Sequence, residues 1–120
     1  MKIKDIPVIS EKYDFTFAFC TFLDDFKRSE NKSALIAEPP EKGMLKQKEF
    51  CMLVCAAHKL ANDNGIETPE WIHDKKYILR KPVYAFDTKN PEYRTFLEET
   101  SPDEYRQRKL FYGENVLMRV

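Results

Sequence analysis

Glycine is scarce in this chain of 120 residues: there are three, Gly43, Gly65 and Gly113, and each stands alone. Isolated glycines cannot build the run of backbone N–H groups that cradles a phosphate, which excludes the glycine-rich nucleotide signatures. Cysteine is also sparse. Cys20, Cys51 and Cys55 are odd in number and sit among Phe, Leu, Val and Ala, the setting of small buried hydrophobes and not of a disulfide framework. Net charge is absent, with 20 Lys plus Arg against 20 Asp plus Glu. No global field therefore draws the chain onto nucleic acid or an anionic membrane, and polyanion binding would have to be local. No apolar run approaches the roughly 20 residues of a membrane span. Met1 to Pro7 carries two Lys, but no apolar core of signal-peptide length follows. The expectation is a cytoplasmic protein with no membrane contact.

Aromatic residues are what the chain has in quantity: nine Phe, six Tyr and one Trp, within a hydrophobic share of 42%. A chain of this size buries roughly two thirds of its unfolded surface, enough for one core without metals or disulfides. One domain over 1–120 is expected.

Apolar spacing and punctuation predict a mainly α, single-domain bundle of two longer helices, about 11–30 and 44–64, followed by several short C-terminal helices. Ser10 is placed to cap the first, with Phe15, Ala18, Phe19, Phe22, Leu23 and Phe26 as one stripe and Lys27 and Arg28 near its negative end. Asn31 or Ser33 starts a short turn that Pro39-Pro40 must end. Phe50, Leu53, Val54, Ala57, Leu60 and Ala61 share a face of the second helix, with Gly65 as its left-handed stop. Thr68-Pro69 predicts a helical turn to His73 that points Trp71 and Ile72 inward. Lys81-Pro82 argues against a central strand in 77–86 and for an extended crossing. Asn90-Pro91 and Ser101-Pro102 repeat the cap-then-proline pattern, predicting helices over about 91–99 and 102–109, with Ser101 and Glu104 as a capping box. A last helix over 114–120 is expected to close the core with Val116, Leu117 and Val120. The two long helices are expected to seal their apolar sides together and leave no cavity for a substrate.

Few constellations suggest chemistry. Cys51, Cys55 and His58 lie on one side of a helix and offer three zinc-type donors, but no fourth ligand is evident. Glu70 and His73 make a single Glu-x-x-His, whereas di-iron bundles use two such motifs with two further glutamates on long helices. Nothing pairs a nucleophile with an oxyanion loop. No cofactor and no catalytic residues are expected. Basic and aromatic residues do cluster twice: Lys75, Lys76, Arg80 and Lys81 with Tyr77, and Arg106, Arg108 and Lys109 with Tyr105, Phe111 and Tyr112. Such patches suit protein interfaces, and also nucleic acid.

A pattern of blocks runs through most of the chain: Phe22-Leu23-Asp24-Asp25-Phe26, Leu35-Ile36-Ala37-Glu38-Pro39-Pro40, Ala56-Ala57-His58-Lys59-Leu60-Ala61 and Thr68-Pro69-Glu70-Trp71. It continues from Thr100-Ser101-Pro102 through Arg106-Gln107-Arg108-Lys109-Leu110-Phe111 to Val116-Leu117-Met118-Arg119-Val120. In this order the blocks resemble a bacterial domain found in small stand-alone proteins and behind the helix-turn-helix region of transcriptional regulators of toxin-antitoxin character. The resemblance implies a cytosolic, partner-binding module and brings no catalytic residues with it. Tyr112-Gly113 departs from the family's apolar continuation. The reading from sequence is thus a non-enzymatic regulatory or interaction domain, antitoxin-like or adaptor, that meets a protein partner through Trp71, Tyr105, Arg106, Arg108 and Lys109. The alternatives are nucleic-acid binding through the basic patches at 75–81, with Lys75, Lys76, Arg80 and Lys81, and at 106–109, and a metal-binding module or enzyme at Cys51, Cys55 and His58.

Overall fold

Proline at position 7 and aspartate at position 14 decide how the chain begins. In the computed structural model, which describes residues 1–41, 43, 45–114 and 117, helix α1 spans Ile6–Lys12 with Pro7 in its first turn, where its missing N–H costs nothing. Tyr13 leaves helical geometry at φ −111°, ψ −94°. Asp14 then turns extended and starts α2, Phe15–Arg28, its Oδ1 accepting from the Phe17 N–H at 2.6 Å. The helix expected over about 11–30 is therefore two helices. Ser10 is not the cap: it lies inside α1 and its hydroxyl donates to the Ile6 carbonyl at 2.7 Å. An aspartate carboxylate at the break satisfies N–H groups that an unbroken helix would not expose.

The stripe on α2 is buried as its spacing requires: Ala18, Phe19, Phe22, Leu23 and Phe26. They share one cluster with Leu53, Val54, Ala57 and Ala61 of α4, Gln47–Asp63, and with Ile36 of the short α3, Lys32–Ile36. Phe22 is fully enclosed, which is worth about 1.5–3 kcal/mol of apolar transfer, and Phe19 and Phe26 are nearly so. Helix α4 starts at Gln47; Met44, its expected start, lies outside the described residues. It ends as expected with Gly65 at φ +63° and the Ile66 N–H returning to the Ala61 carbonyl at 2.9 Å.

A second cluster forms on another side of α4, where Cys51 and Cys55 meet Leu79, Tyr105 and Leu110. Two single-turn helices, Glu70–His73 and Lys75–Tyr77, carry the chain there. The crossing expected for 77–86 does contain a two-residue strand, β1, Val83–Tyr84, which pairs in parallel with β2, Leu110–Phe111. Between them lie α5, Pro91–Thr100, capped by Asn90 Oδ1 on the Tyr93 N–H at 3.0 Å, and α6, Asp103–Arg106. Ser101 is no N-cap. Its hydroxyl donates to the Leu97 carbonyl at 2.6 Å and accepts from the Gly113 N–H at 3.0 Å, closing α5 onto the segment after β2. The helix expected over 114–120 lies outside the described residues apart from Glu114 and Leu117, and Leu117 packs against the first cluster.

Candidate functional site

Arg108 is the residue whose position differs most from expectation. It is 3% exposed, so it is no surface contact. Helix α6 stops at Arg106, and the turn that follows lays the guanidinium back over α4. There it donates to the Glu104 carbonyl at 2.8 Å, the Ile72 carbonyl at 3.1 Å and His58 Nδ1 at 3.2 Å. Its own carbonyl accepts from the Leu79 N–H at 3.3 Å. One side chain thus ties α4, α6 and the Glu70–His73 turn together. Because guanidinium only donates, His58 Nδ1 accepts, which places the imidazole proton on Nε2. Burial first and the neighbouring guanidinium second hold His58 below the ordinary histidine range.

This arrangement bears on the metal set. Cys51 and Cys55 are fully buried with sulfurs 3.8 Å apart, and Cys51 Sγ faces the Arg108 carbonyl at 3.9 Å. Burial pushes the Cys55 thiol far above the ordinary range and the adjacent Cys51 adds to it, so Cys55 is held protonated, while the hydrogen bond from Cys55 lowers the pKa of Cys51. His58 has one nitrogen committed to a cation. Among the described residues no group of three or more His, Cys, Asp and Glu is placed to hold a metal ion. His73 meets His58 edge to face at 5.7 Å between ring centroids but is itself exposed.

The remaining residues of the expected contact surface divide. Tyr105 is buried at 1% exposure, and that burial raises its phenol pKa. Trp71 is half-buried, its indole N–H donating to the Ile36 carbonyl at 3.0 Å, its ring edge-on to Tyr77 at 6.1 Å. Arg106 and Lys109 are exposed, Arg106 paired with Asp103. Tyr105 and Arg108 alternate with them on a turn whose inner side fills the second cluster. Aromatic and basic composition could not separate the two sides.

Lys75, Lys76, Arg80 and Lys81 are all exposed. The β1–β2 pairing brings Arg80 next to Lys109: the Val83 N–H donates to the Lys109 carbonyl at 2.9 Å, and Lys109 Nζ donates to the Arg80 carbonyl at 3.3 Å. One exposed cation from each basic cluster, Arg80 and Lys109, thus meets the other at a contact between segments far apart in sequence. Lys76 lies over the Tyr77 ring at 5.2 Å and points toward Asp74 at 3.8 Å.

Compared with family models, curated proteins and solved structures, the chain finds no match in any of the three.

Several exposed aromatics went unforeseen. Phe86 is 93% exposed and held at φ +58°, with Asp87 also left-handed at φ +50°. A bulky residue in that conformation costs about 1–2 kcal/mol. Tyr93 and Phe96 stack on the outer face of α5 at 6.2 Å, and Tyr13 and Phe17 lie 5.0 Å apart at the α1–α2 corner. Phe17 could have been found, since at 100° per residue it falls opposite the Phe15–Phe19–Phe22 row. Open depressions lie elsewhere on the surface, away from these aromatics. One, about 740 Å³, is lined by Asn31, Ser33, Glu67 and Glu70 among others. Another, about 500 Å³, opens at one end of the α2–α4 seam between Leu23, Phe26, Leu60 and Leu117, where the two helices were expected to seal completely.

Proposed function

We propose that this chain is a non-enzymatic interaction domain, the antitoxin-like or adaptor member of a pair, working in the cytoplasm. One observation carries the reading: large aromatic side chains remain in solvent as neighbouring pairs, Tyr13 with Phe17 and Tyr93 with Phe96, while the interior is filled by other aromatics. Leaving such area in water forgoes burial energy, and grouped apolar surface marks protein contact sites. Interfaces concentrate binding energy in side chains of this kind. The resemblance to the partner-binding domain of toxin-antitoxin-type regulators supports the same direction.

A nucleic-acid reading draws on the basic clusters that meet at Arg80 and Lys109 but has less behind it. Arg108 is buried and Arg106 is held by Asp103, so the cations left free form a short face and not a track. Affinity purification from native cells tests the leading reading. A stoichiometric protein partner is expected, lost with Phe17→Glu or Phe96→Glu while circular dichroism stays unchanged. Recovery of the same proteins with all surface variants would refute it.

A further inference from the structure

The pairing of β1 with β2 gathers charge as well as closing the second cluster. Arg80 and Lys81 lead into β1 and Lys109 leads into β2, all three exposed, with Lys109 Nζ donating to the Arg80 carbonyl at 3.3 Å. Past β1 the chain turns through Phe86 and Asp87 and folds Lys89 and Arg94 back against Pro82, Val83 and Tyr84. These residues line a recess of about 160 Å³ together with Asp87 and Thr88. Arg94 is fixed there, its Nε donating to the Thr88 carbonyl at 2.8 Å and its guanidinium carbon 4.6 Å from the Tyr84 ring centroid. None of these five cations is ion-paired to a described carboxylate. Phe86 stands three residues beyond Val83, and three peptide links limit that separation to about 11 Å, so a 93% exposed ring stands close to the strand pair from which both groups of charge extend.

We propose that this face docks an acidic segment of a partner protein, with carboxylates on Arg80, Lys81, Lys109, Lys89 and Arg94 and one apolar side chain against Phe86. The assignment rests on the interaction-domain reading and names the chemistry of its partner. Charge complementarity selects an anion. The layout selects a short one: Asp87 lines the recess itself, and Asp74 holds Lys76 at the other end. Single-stranded nucleic acid needs successive stacking platforms along a cationic groove. Here Tyr84 is already stacked on Phe111 at 5.2 Å and covered by Arg94, which leaves Phe86 as an exposed ring beside the strand pair and no row of platforms among the described residues there.

Fluorescence anisotropy on the full chain decides the matter. The probes are a labelled dodecapeptide of Asp and Glu with one central Leu, the same peptide with Ser for Leu, and a labelled twelve-nucleotide oligothymidylate. The Leu peptide is expected to bind best, more weakly as salt rises. Arg80→Glu combined with Lys109→Glu should lower its affinity about tenfold or more, the range of lost interfacial charge pairs. Phe86→Gly should lower it severalfold without lowering Tm, an outcome that a merely structural ring would not give. Tighter binding of the oligothymidylate, indifference to the double Glu variant, or no peptide binding would overturn the proposal. If the peptide fails while the native partner is still captured through Phe17 and Phe96, this assignment falls and the interaction-domain reading stands.

Discussion

Replacing Phe86 by glycine separates what the backbone wants at that position from what the ring is there to do. Phe86 sits at φ +58°, ψ +18°, and its side chain is 93% exposed. A side chain in the left-handed region costs about 1.5 kcal/mol. Glycine removes that penalty but adds about 0.7 kcal/mol of unfolded-state freedom. With almost no packing to lose, the balance is a gain of about 0.8 kcal/mol, or roughly 3 °C in Tm for a chain of this size. Phe86→Ala keeps the left-handed penalty and should stay within about 0.5 kcal/mol of wild type. Urea titrations of the three proteins, compared at equal m, give the differences directly. A glycine variant less stable than wild type by more than about 0.5 kcal/mol would mean that the ring supports the fold, and the argument for a solvent-facing anchor would fail.

Acidification should weaken the fold through His58. Its folded pKa lies below its ordinary value near 6.5, so the unfolded chain binds the extra proton first. The stabilisation is therefore complete above about pH 6.5 and is lost as pH falls from there through the depressed folded value. The urea midpoint should drop between pH 7.5 and 5.5 in wild type and much less in His58→Gln; equal drops would refute the assignment. Asp14→Ala should cost about 1 kcal/mol by removing the α2 cap, whereas Ser10→Ala should cost less, a ranking that thermal unfolding can check.

Sequence spacing made α4 legible, to within one residue at its end and three at its start, because its apolar face, its lack of breakers and Gly65 all agree. Helix α5 was legible for the same reason, with Asn90 and Pro91 acting together. The start of the chain was harder. Ser10 and Asp14 are both good caps, and only the tertiary placement of α1 against α2 selects Asp14. Two-residue strands such as β1 and β2 leave no alternation to detect, so the contact that joins Arg80 to Lys109 was out of reach. The candidate surface suffered most from this. Tyr105, Arg106, Arg108 and Lys109 are one run of similar letters, yet the fold sends two inward and two outward. Exposure of Phe86 depends on a left-handed backbone that its sequence, Ala85-Phe86-Asp87, does not announce.

A guanidinium enclosed without any described carboxylate against it is balanced by peptide dipoles alone, those of Glu104 and Ile72, with an imidazole lone pair. Dipoles do not follow a charge that moves. A shift of α6 by one residue along α4 would strand a full positive charge in an apolar interior, a far heavier penalty than a misplaced methyl group. Arg108 thus holds the register of the C-terminal half: its guanidinium finds acceptors on three elements at once, and a displaced α6 would leave them unmet.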